Sequence, residues 1–453
     1  MQEREKWATR YGFMLAAVAS AVGLGNIWRF PYITGELGGG AFLVVYIVCI
    51  LIIGLPTMIA EFSIGKRGQL DAVGSFQKTT RSKPWVIGGW LGVITSFLIV
   101  SFYAVITGWV LYYMFSYLVG TVQEVEPGGI GEFFEGFIGH DFLPVIWQVV
   151  VMAIIVGILY FGVQKGIELS NKIFMPALAV ILIILAGYSL SLGGAAEGLS
   201  FLFIPDWSAF ANPDLYLAAV GQAFFTLSLG MGIMVTYGGY LSNQTGHRLP
   251  GMATGIVIMD TLFAIVVGIV IFAAIFAIGG IEVDQGPTLI FAVLPEVFNQ
   301  MAGAGGTFFA VVFFFLVFIA GLSSAISLAE VSISFAIRRF NLNRKKAAII
   351  VGAVITAVGV PSALSQGGPL GDVLIAGETI LDFVDILTDS YFLPIGGLIV
   401  VLFVGWGWKR QEAFETADFK NQGLGKLWLF LIRFVAPIMI IIILLANYLG
   451  IGV

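Results

Sequence analysis

Eleven long apolar stretches recur along the chain, and they constrain its fold more than any other feature. They lie near residues 11–35, 40–65, 86–119, 142–161, 167–190, 213–241, 251–279, 304–337, 346–361, 376–405 and 427–449. All but the short stretch 346–361 reach the roughly 20 residues that a helix needs to cross a hydrocarbon core. Only 11% of the 453 residues are charged, against about 25% in ordinary soluble domains. A soluble globule of this size could not cover its surface with so few charges. The expected fold class is therefore an all-α polytopic membrane protein with 11 transmembrane helices. The first stretch has polar breaks and no small-residue cleavage site, so it reads as a span rather than a removed signal peptide.

Several function classes fall at once. Cys49 is the one cysteine, and it sits in an apolar stretch. The two histidines, His140 and His247, show no HExxH spacing, so a histidine-based zinc site is excluded. No GxxxxGK[ST] motif offers a Walker-type ATP site, and the pairs Gly23/Gly25 and Gly230/Gly232 lack the strand–turn–helix setting of a dinucleotide loop. Nothing points to nucleic acid. The loops are too short for a soluble domain, so energy for transport would come from an ion gradient or from a separate subunit.

The placement of Lys and Arg tests the span count, because loops on the cytoplasmic side are enriched in both. With the N-terminus inside, 20 of the 22 basic residues fall in cytoplasmic segments, among them Arg4, Lys83, Arg338, Arg344 and Lys409. The outer loops carry acids instead, including Glu124, Glu132, Asp141, Glu282, Asp284 and Asp372. The expected topology is a multi-pass protein of the cell membrane, bacterial in type, with a cytoplasmic N-terminus and an extracellular C-terminus. The sequon Asn243-Gln244-Thr245 then falls on the cytoplasmic side and carries no meaning. Two basic residues depart from the pattern: Arg433 inside the last span and Arg29 deep in the outer half of the first.

Spans 1 and 6 are interrupted at mid-depth. The first reads Ala19-Ser20-Ala21-Val22-Gly23-Leu24-Gly25-Asn26 and the sixth Phe225-Thr226-Leu227-Ser228-Leu229-Gly230-Met231-Gly232. Close packing of helices through small residues is one reading of such segments. Their position favours another. Five spans separate them, which turns the second unit over and gives a 5+5 inverted repeat: residues 1–190 (helices 1–5), residues 213–405 (helices 6–10), and helix 11 at 427–449. Broken helices at matching places in two inverted halves mark a transporter's midplane site. Half-helix N-termini offer unpaired N–H groups to an anion such as a carboxylate. Unwound carbonyls, with the oxygens of Asn26, Thr226, Ser323 and Ser324, suit a hard cation. A ligand bearing both a carboxylate and an ammonium, such as an amino acid, would use both sets.

The few ionisable groups at depth extend this picture. Asp260 lies nine residues into span 7, about 14 Å from its end at 1.5 Å per residue. A carboxylate there is costly and faces a cavity with a partner. A cation-linked role and a protonated Asp bonded to a neighbouring helix are the two readings. Glu330 in span 8 is open to a structural hydrogen bond, and Glu61 reads as structural. Arg29 stays protonated and needs an acid, for which Asp382 and Asp385 at the outer end of span 10 are the candidates. That pair would be either an outer gate or a static lock. Tyr103 is a phenol among apolar residues that could donate to a carboxylate or be a satisfied core tyrosine.

Longer motifs then identify a resemblance. The runs Trp7-Ala8-Thr9-Arg10, Ala21-Val22-Gly23-Leu24-Gly25-Asn26-Ile27-Trp28-Arg29-Phe30-Pro31-Tyr32 and Gly38-Gly39-Gly40-Ala41-Phe42 resemble the start of a neurotransmitter:sodium symporter. Gly221-Gln222-Ala223-Phe224-Phe225-Thr226-Leu227-Ser228 and Ala320-Gly321-Leu322-Ser323-Ser324 do so too. The match runs from span 1 to span 11. It resembles bacterial members with the leucine-transporter-type fold that carry several hydrophobic amino acids.

The resemblance implies two sodium (Na+) sites and a substrate site. The first sodium would take the carbonyls of Ala21 and Thr226, the side chains of Asn26 and Thr226, Asp260, and the substrate carboxylate. The second would take carbonyls of Ala19, Val22 and Ala320 with the hydroxyls of Ser323 and Ser324. The substrate carboxylate would meet the N–H groups of Leu24 and Gly25 and the Tyr103 hydroxyl; its ammonium would meet carbonyls near Ala21, Phe225 and Thr226. Ile99, Tyr103, Phe225, Ser228, Met231, Ser324 and Leu328 would line the side-chain pocket, with Phe225 as its lid. Gly166 and Pro176 match the pattern with which relatives unwind span 5.

Four departures from the family pattern shape the expectations. Eleven spans are expected here, where most relatives have twelve. Asp260 stands where the sodium ligand of span 7 is usually Asn. Chloride-dependent relatives hold an anion near the equivalents of Tyr46, Gln222 and Thr226, and a resident carboxylate supplies that charge, so chloride independence is expected. Arg338 stands where an acid usually pairs with the N-terminal Arg4, so an inner gate would be rebuilt around Trp7 and Tyr240. Met231 replaces a common aromatic residue, and methionine's flexibility suggests a pocket open to several bulky side chains. The expected function is sodium-coupled import of hydrophobic L-amino acids by alternating access, with the lipid bilayer and the small-molecule substrate as partners, no enzymatic activity and no obligatory protein partner. A carrier of another small zwitterion and a non-transporting amino-acid sensor of the same fold are the alternatives.

Overall fold

The computed structural model describes residues 5–80, 82–126, 128–241, 248–278, 289–300 and 304–449. Arg4, the sequon at 243–245, His247, Glu282 and Asp284 lie outside them. Among the described residues the chain is a helical bundle, with β pairing confined to two isolated bridges, Gly39 with Pro205 and Ile375 with Glu378. In chain order the helices are α1 (Arg10–Ala21), α2 (Gly25–Glu36), α3 (Gly40–Gly68), α4 (Ala72–Thr79), α5 (Lys83–Val119), α6 (Ile130–Ile138), α7 (Leu143–Tyr160), α8 (Val163–Leu190) and α9 (Ala195–Phe203). They continue as α10 (Pro213–Thr226), α11 (Ile233–Gly239), α12 (Leu249–Ile278), α13 (Val293–Gln300), α14 (Ala304–Phe340), α15 (Arg344–Leu364), α16 (Ile380–Gly407), α17 (Arg410–Ala417) and α18 (Gln422–Leu449).

Helix starts follow local capping chemistry. Thr9, Asp71, Asn212, Asn343 and Thr379 each accept a backbone N–H from the first turn that follows, satisfying donors that the helix itself cannot. The long helices are apolar on all sides. Their outward faces carry exposed residues such as Ile183, Leu445 and Ile349, as a lipid-facing surface does.

Nine described helices are long and apolar enough to cross a membrane, and a tenth is formed if α1 and α2, bent by 47° at their junction, are taken together. The sequence reading expected eleven. The difference is the segment 213–241, expected as one span interrupted at mid-depth, whose two halves are each too short to be counted alone. It is two helices, α10 and α11, separated by the non-helical residues 227–232. Hydropathy reads through such a break because its residues are as apolar as the flanking turns.

Both breaks lie in the centre of the bundle. At the first, Val22 leaves the helix with φ −74° and ψ 98°. At the second, Ser228, Gly230 and Gly232 take φ of 54°, 78° and 75°. Left-handed backbone suits glycine and strains a serine. At Gly230 a Cβ would also collide with the Leu393 carbonyl of α16, so close approach and backbone angle both demand glycine. The opened backbone is tied down from outside: Glu61 of α3 accepts the Gly230 N–H at 2.7 Å. Ser228 meets span 1, its Oγ donating to the Ser20 carbonyl at 2.9 Å.

Candidate substrate and ion site

The two breaks face each other and bring oxygens from distant parts of the chain together. Asp260 of α12 is fully buried. It accepts from Asn26 Nδ2 at 2.8 Å and from the Thr226 hydroxyl at 3.0 Å. Gln222 Nε2 donates to the Gly25 carbonyl at 2.8 Å, joining α10 to α2. Tyr46, Gln222, Thr226 and Asn26 are all buried. A second cluster joins α1 to α14. Ser323 Oγ lies 2.9 Å from both the Ala19 and Ala320 carbonyls, while Ser324 Oγ lies 3.1 Å from the Ser20 carbonyl and 3.5 Å from that of Val22. Both clusters are rich in oxygen and hold only one formal charge, the chemistry that suits a monovalent hard cation.

Between the clusters lies a cavity of about 20 Å³ lined by Ala21, Gly25, Ile99, Tyr103, Phe225, Thr226, Ser228, Met231, Ser324 and Leu328. These are the residues that the sequence reading grouped as a substrate pocket. Ser20, Gly23 and Ile233 line it too; the first two lie within the sequence motif of the break, whereas nothing in the sequence signalled Ile233. The volume is that of about one water molecule, so the walls are closed inward. Leu24 lies on the outer side, its N–H donating to the Tyr103 hydroxyl at 3.0 Å. That bond joins the two donors expected to meet a carboxylate.

A vestibule of about 330 Å³ opens beyond, toward the acidic end of the bundle, lined by Trp28, Arg29, Tyr32, Phe102, Asp385 and Asp389 among others. Tyr103 and Phe225 line both cavities, so their rings form the partition. The Arg29 guanidinium stands over the Phe225 ring, 5.1 Å from its centre, a cation–π arrangement that holds the ring in place.

The partner of Arg29 corrects the sequence reading. Neither Asp382 nor Asp385 pairs with it. Asp389 does, through two parallel bonds of 2.7 and 2.6 Å. Asp382 is engaged at the helix start by Thr379 and Gln366 at 2.6 and 3.1 Å. Asp385 stays nearby as a vestibule wall. Asp389 lies one helical turn beyond Asp385, on the same face and within the π-helical segment Leu387–Phe392, and the docking of α16 sets it directly against the guanidinium.

At the opposite, basic end, Trp7 is buried and its Nε1 donates to the Tyr237 carbonyl at 3.0 Å. Its ring meets Phe13, Tyr237 and Tyr240 edge-on. The Tyr240 hydroxyl bonds Glu330 at 2.5 Å, and Glu330 holds Arg344 bidentately at 2.7 and 2.6 Å. Glu5 adds a second acid to Arg344 at 3.1 Å. Burial pushes the Glu5 carboxyl above the usual range, with Arg344 pulling the other way. Trp7 and Tyr240 thus do meet, and the sequence reading missed Arg344 and Glu5 because their contact depends on how α15 docks. Arg338 takes no part: it pairs with Asp71, the residue that caps the start of α4.

The chain is similar to known transporters over nearly its whole length. It matches the sodium:neurotransmitter symporter family over residues 4–123 and 139–451. The crystal structure of MhsT in complex with L-phenylalanine superposes with a TM-score of 0.90 at 53% identity, covering 98% of this chain and 99% of that one. The uncharacterized sodium-dependent transporter YhdH of Bacillus subtilis is 37% identical, over 99% of both chains. An uncharacterized sodium-dependent transporter of Methanocaldococcus jannaschii is 33% identical, over 97% of this chain and 89% of its own. With two broken helices meeting at a buried carboxylate, and this similarity across both, the chain belongs to the sodium:neurotransmitter symporter family: a multi-pass membrane transporter that depends on sodium, with the leucine-transporter fold, and not an enzyme.

Proposed function

We propose that this transporter couples two sodium ions to the uptake of hydrophobic L-amino acids, independently of chloride. The observation that carries the reading is the composition of the central cavity. Its side-chain half is apolar, made by Ile99, Phe225, Met231 and Leu328. Its other half meets the broken backbone of span 1, where the N–H groups of Leu24 and Gly25 and the Tyr103 hydroxyl suit a carboxylate. Aliphatic and aromatic amino acids have that division. The phenylalanine bound to the structurally similar MhsT supports it.

In this reading the first sodium takes Ala21, Asn26, Thr226 and Asp260, and the second takes Ala19, Val22, Ala320, Ser323 and Ser324. The substrate carboxylate completes the first site, so ion and substrate bind with positive coupling, of the order of 1–3 kcal/mol in general. Asp260 brings a fixed negative charge beside Tyr46, Gln222 and Thr226, which leaves no charge for chloride to supply. Residues 1–190 and 213–405 form the two inverted halves, with the basic end cytoplasmic. Arg29, Asp389 and Phe225 make the outer gate, and Trp7, Tyr240, Glu330 and Arg344 the inner one.

The test is uptake of labelled leucine, tyrosine and tryptophan into proteoliposomes, with sodium and chloride varied separately. All three should enter with sodium and at the same rate with gluconate replacing chloride. Asp260→Asn should make residual uptake rise with chloride. Uptake without sodium, or stimulation of the unmodified protein by chloride, would refute the corresponding part of the reading.

A further inference from the structure

Away from the transport path, the basic end carries a groove of about 880 Å³ between the end of α4 and the start of α5. One wall is polar, made by Gln77, Thr80, Ser82 and Lys83; the other is apolar, made by Pro84, Val86, Ile87 and Trp90. No acidic residue is among the described residues that line it.

The apolar wall belongs to the outer surface of the molecule. Ile87 and Trp90 are 60% and 40% exposed. They stand in the first turns of α5, a 37-residue helix long and apolar enough to cross a membrane. A tryptophan at that place marks the level where hydrocarbon gives way to headgroups. Its ring is braced edge-on against Phe335 of α14, with centroids 5.0 Å apart. Phe335 in turn contacts Phe340, which is exposed. The apolar surface thus continues from α5 onto α14.

The polar wall is arranged to donate. The Thr80 hydroxyl oxygen accepts the Ser82 N–H at 3.0 Å, which leaves its proton for a partner. The Gln77 carbonyl oxygen accepts from Arg338 at 3.4 Å, which leaves its NH2 group. Among the described residues that line the groove Lys83 is the one cation, and no acid among the described residues forms a salt bridge with it. Lys78 and Arg339 add positive charge to the adjoining helix ends.

A cation and hydroxyls on one side and an exposed apolar wall on the other match a ligand that is anionic at one end and apolar along the rest. We infer that this groove binds an anionic phospholipid. Its phosphate meets Lys83 and the hydroxyls of Thr80 and Ser82, and its acyl chain lies along Ile87 and Trp90. Charge complementarity fixes the sign of the headgroup, since a zwitterionic lipid gains less from an unpaired lysine. The apolar wall at the membrane boundary favours a lipid over a free phosphate, which would leave Ile87 and Trp90 uncovered. The lipid would bridge α4 and α5.

Native mass spectrometry of the full chain in detergent, with phosphatidylglycerol or phosphatidylcholine of the same acyl chains, tests the assignment. The unmodified protein should retain phosphatidylglycerol in preference to phosphatidylcholine. Lys83→Glu and Lys83→Gln should each weaken that retention by about fivefold or more, taking about 1 kcal/mol per basic residue near an anionic lipid surface. Trp90→Ala should weaken retention of both lipids. Lys409→Glu, at an exposed site elsewhere on the basic end, should behave as unmodified, and a thermal melt of each variant confirms folding. Equal retention of the two lipids, or retention unchanged in both Lys83 variants, overturns the inference. Displacement of the lipid by millimolar inorganic phosphate would assign the groove to a soluble anion and overturn it equally.

Discussion

Replacement of Asp389 by Asn should weaken closure of the outer vestibule far more than the same change at Asp385. Arg29 and Asp389 face each other through two charge-assisted bonds of 2.6 and 2.7 Å, with side chains 20% and 16% exposed. Hydrogen bonds to charged groups contribute about 1.5–3 kcal/mol each. Breaking a fully buried pair by removing one partner costs about 3–5 kcal/mol. Here water reaches both groups and screens them, and Asn still accepts one bond. A net loss of about 1–2 kcal/mol follows, or roughly a five- to thirtyfold shift toward the open vestibule. Phe225 should loosen with it, because Arg29 stands over its ring. The assay is thiol labelling of a cysteine introduced at Ile106, a vestibule-lining position, in a Cys49→Ala background. Labelling at limiting reagent should rise in Asp389→Asn and change by less than twofold in Asp385→Asn, by the same argument that the latter forms no bond to Arg29. A larger effect at Asp385 would refute the assignment of the pair.

Two other perturbations follow from the same geometry. Gly230→Ala should abolish sodium-dependent substrate binding while leaving membrane insertion intact, because a Cβ at φ 78° meets the Leu393 carbonyl; scintillation proximity binding measures it, and binding within threefold of the unmodified protein would count against the strain argument. Glu5 carries a raised carboxyl pKa, so the folded state holds its proton more firmly than the unfolded chain, and its contribution to stability declines as pH rises from the ordinary carboxylate range through the raised value. Thermal melts at a series of pH values should show Glu5→Gln removing that decline; an unchanged slope would place the titration elsewhere.

Whereas the pocket residues were implied by the family resemblance, span positions and the broken helices were legible from the chain alone, for a shared reason. Each follows from local rules. Lipid demands a run of about 20 apolar residues, and an unwound backbone demands glycine and small polar groups where the run is otherwise helical. The motif from Ala21 to Arg29 and the Ser323-Ser324 pair therefore pointed to one place before any packing was known. Asp260 stood out as a carboxylate at a depth where it needs partners, and Asn26 and Thr226 are those partners.

Pairings between helices were a different matter. Arg29 needed an acid on chemical grounds, for which Asp382 and Asp385 were the candidates, and the docked helix brings it Asp389 instead. Glu330 needed a partner too, and the rotation of α15 brought it Arg344 together with Glu5. Sequence by itself determined which segments enter the membrane, where the helices break and which oxygens are available to a cation, because burial in lipid penalises each residue individually. Only the tertiary structure decided which charges pair at the two ends of the bundle, because an ion pair depends on a few ångströms of helix register and rotation that no local rule specifies.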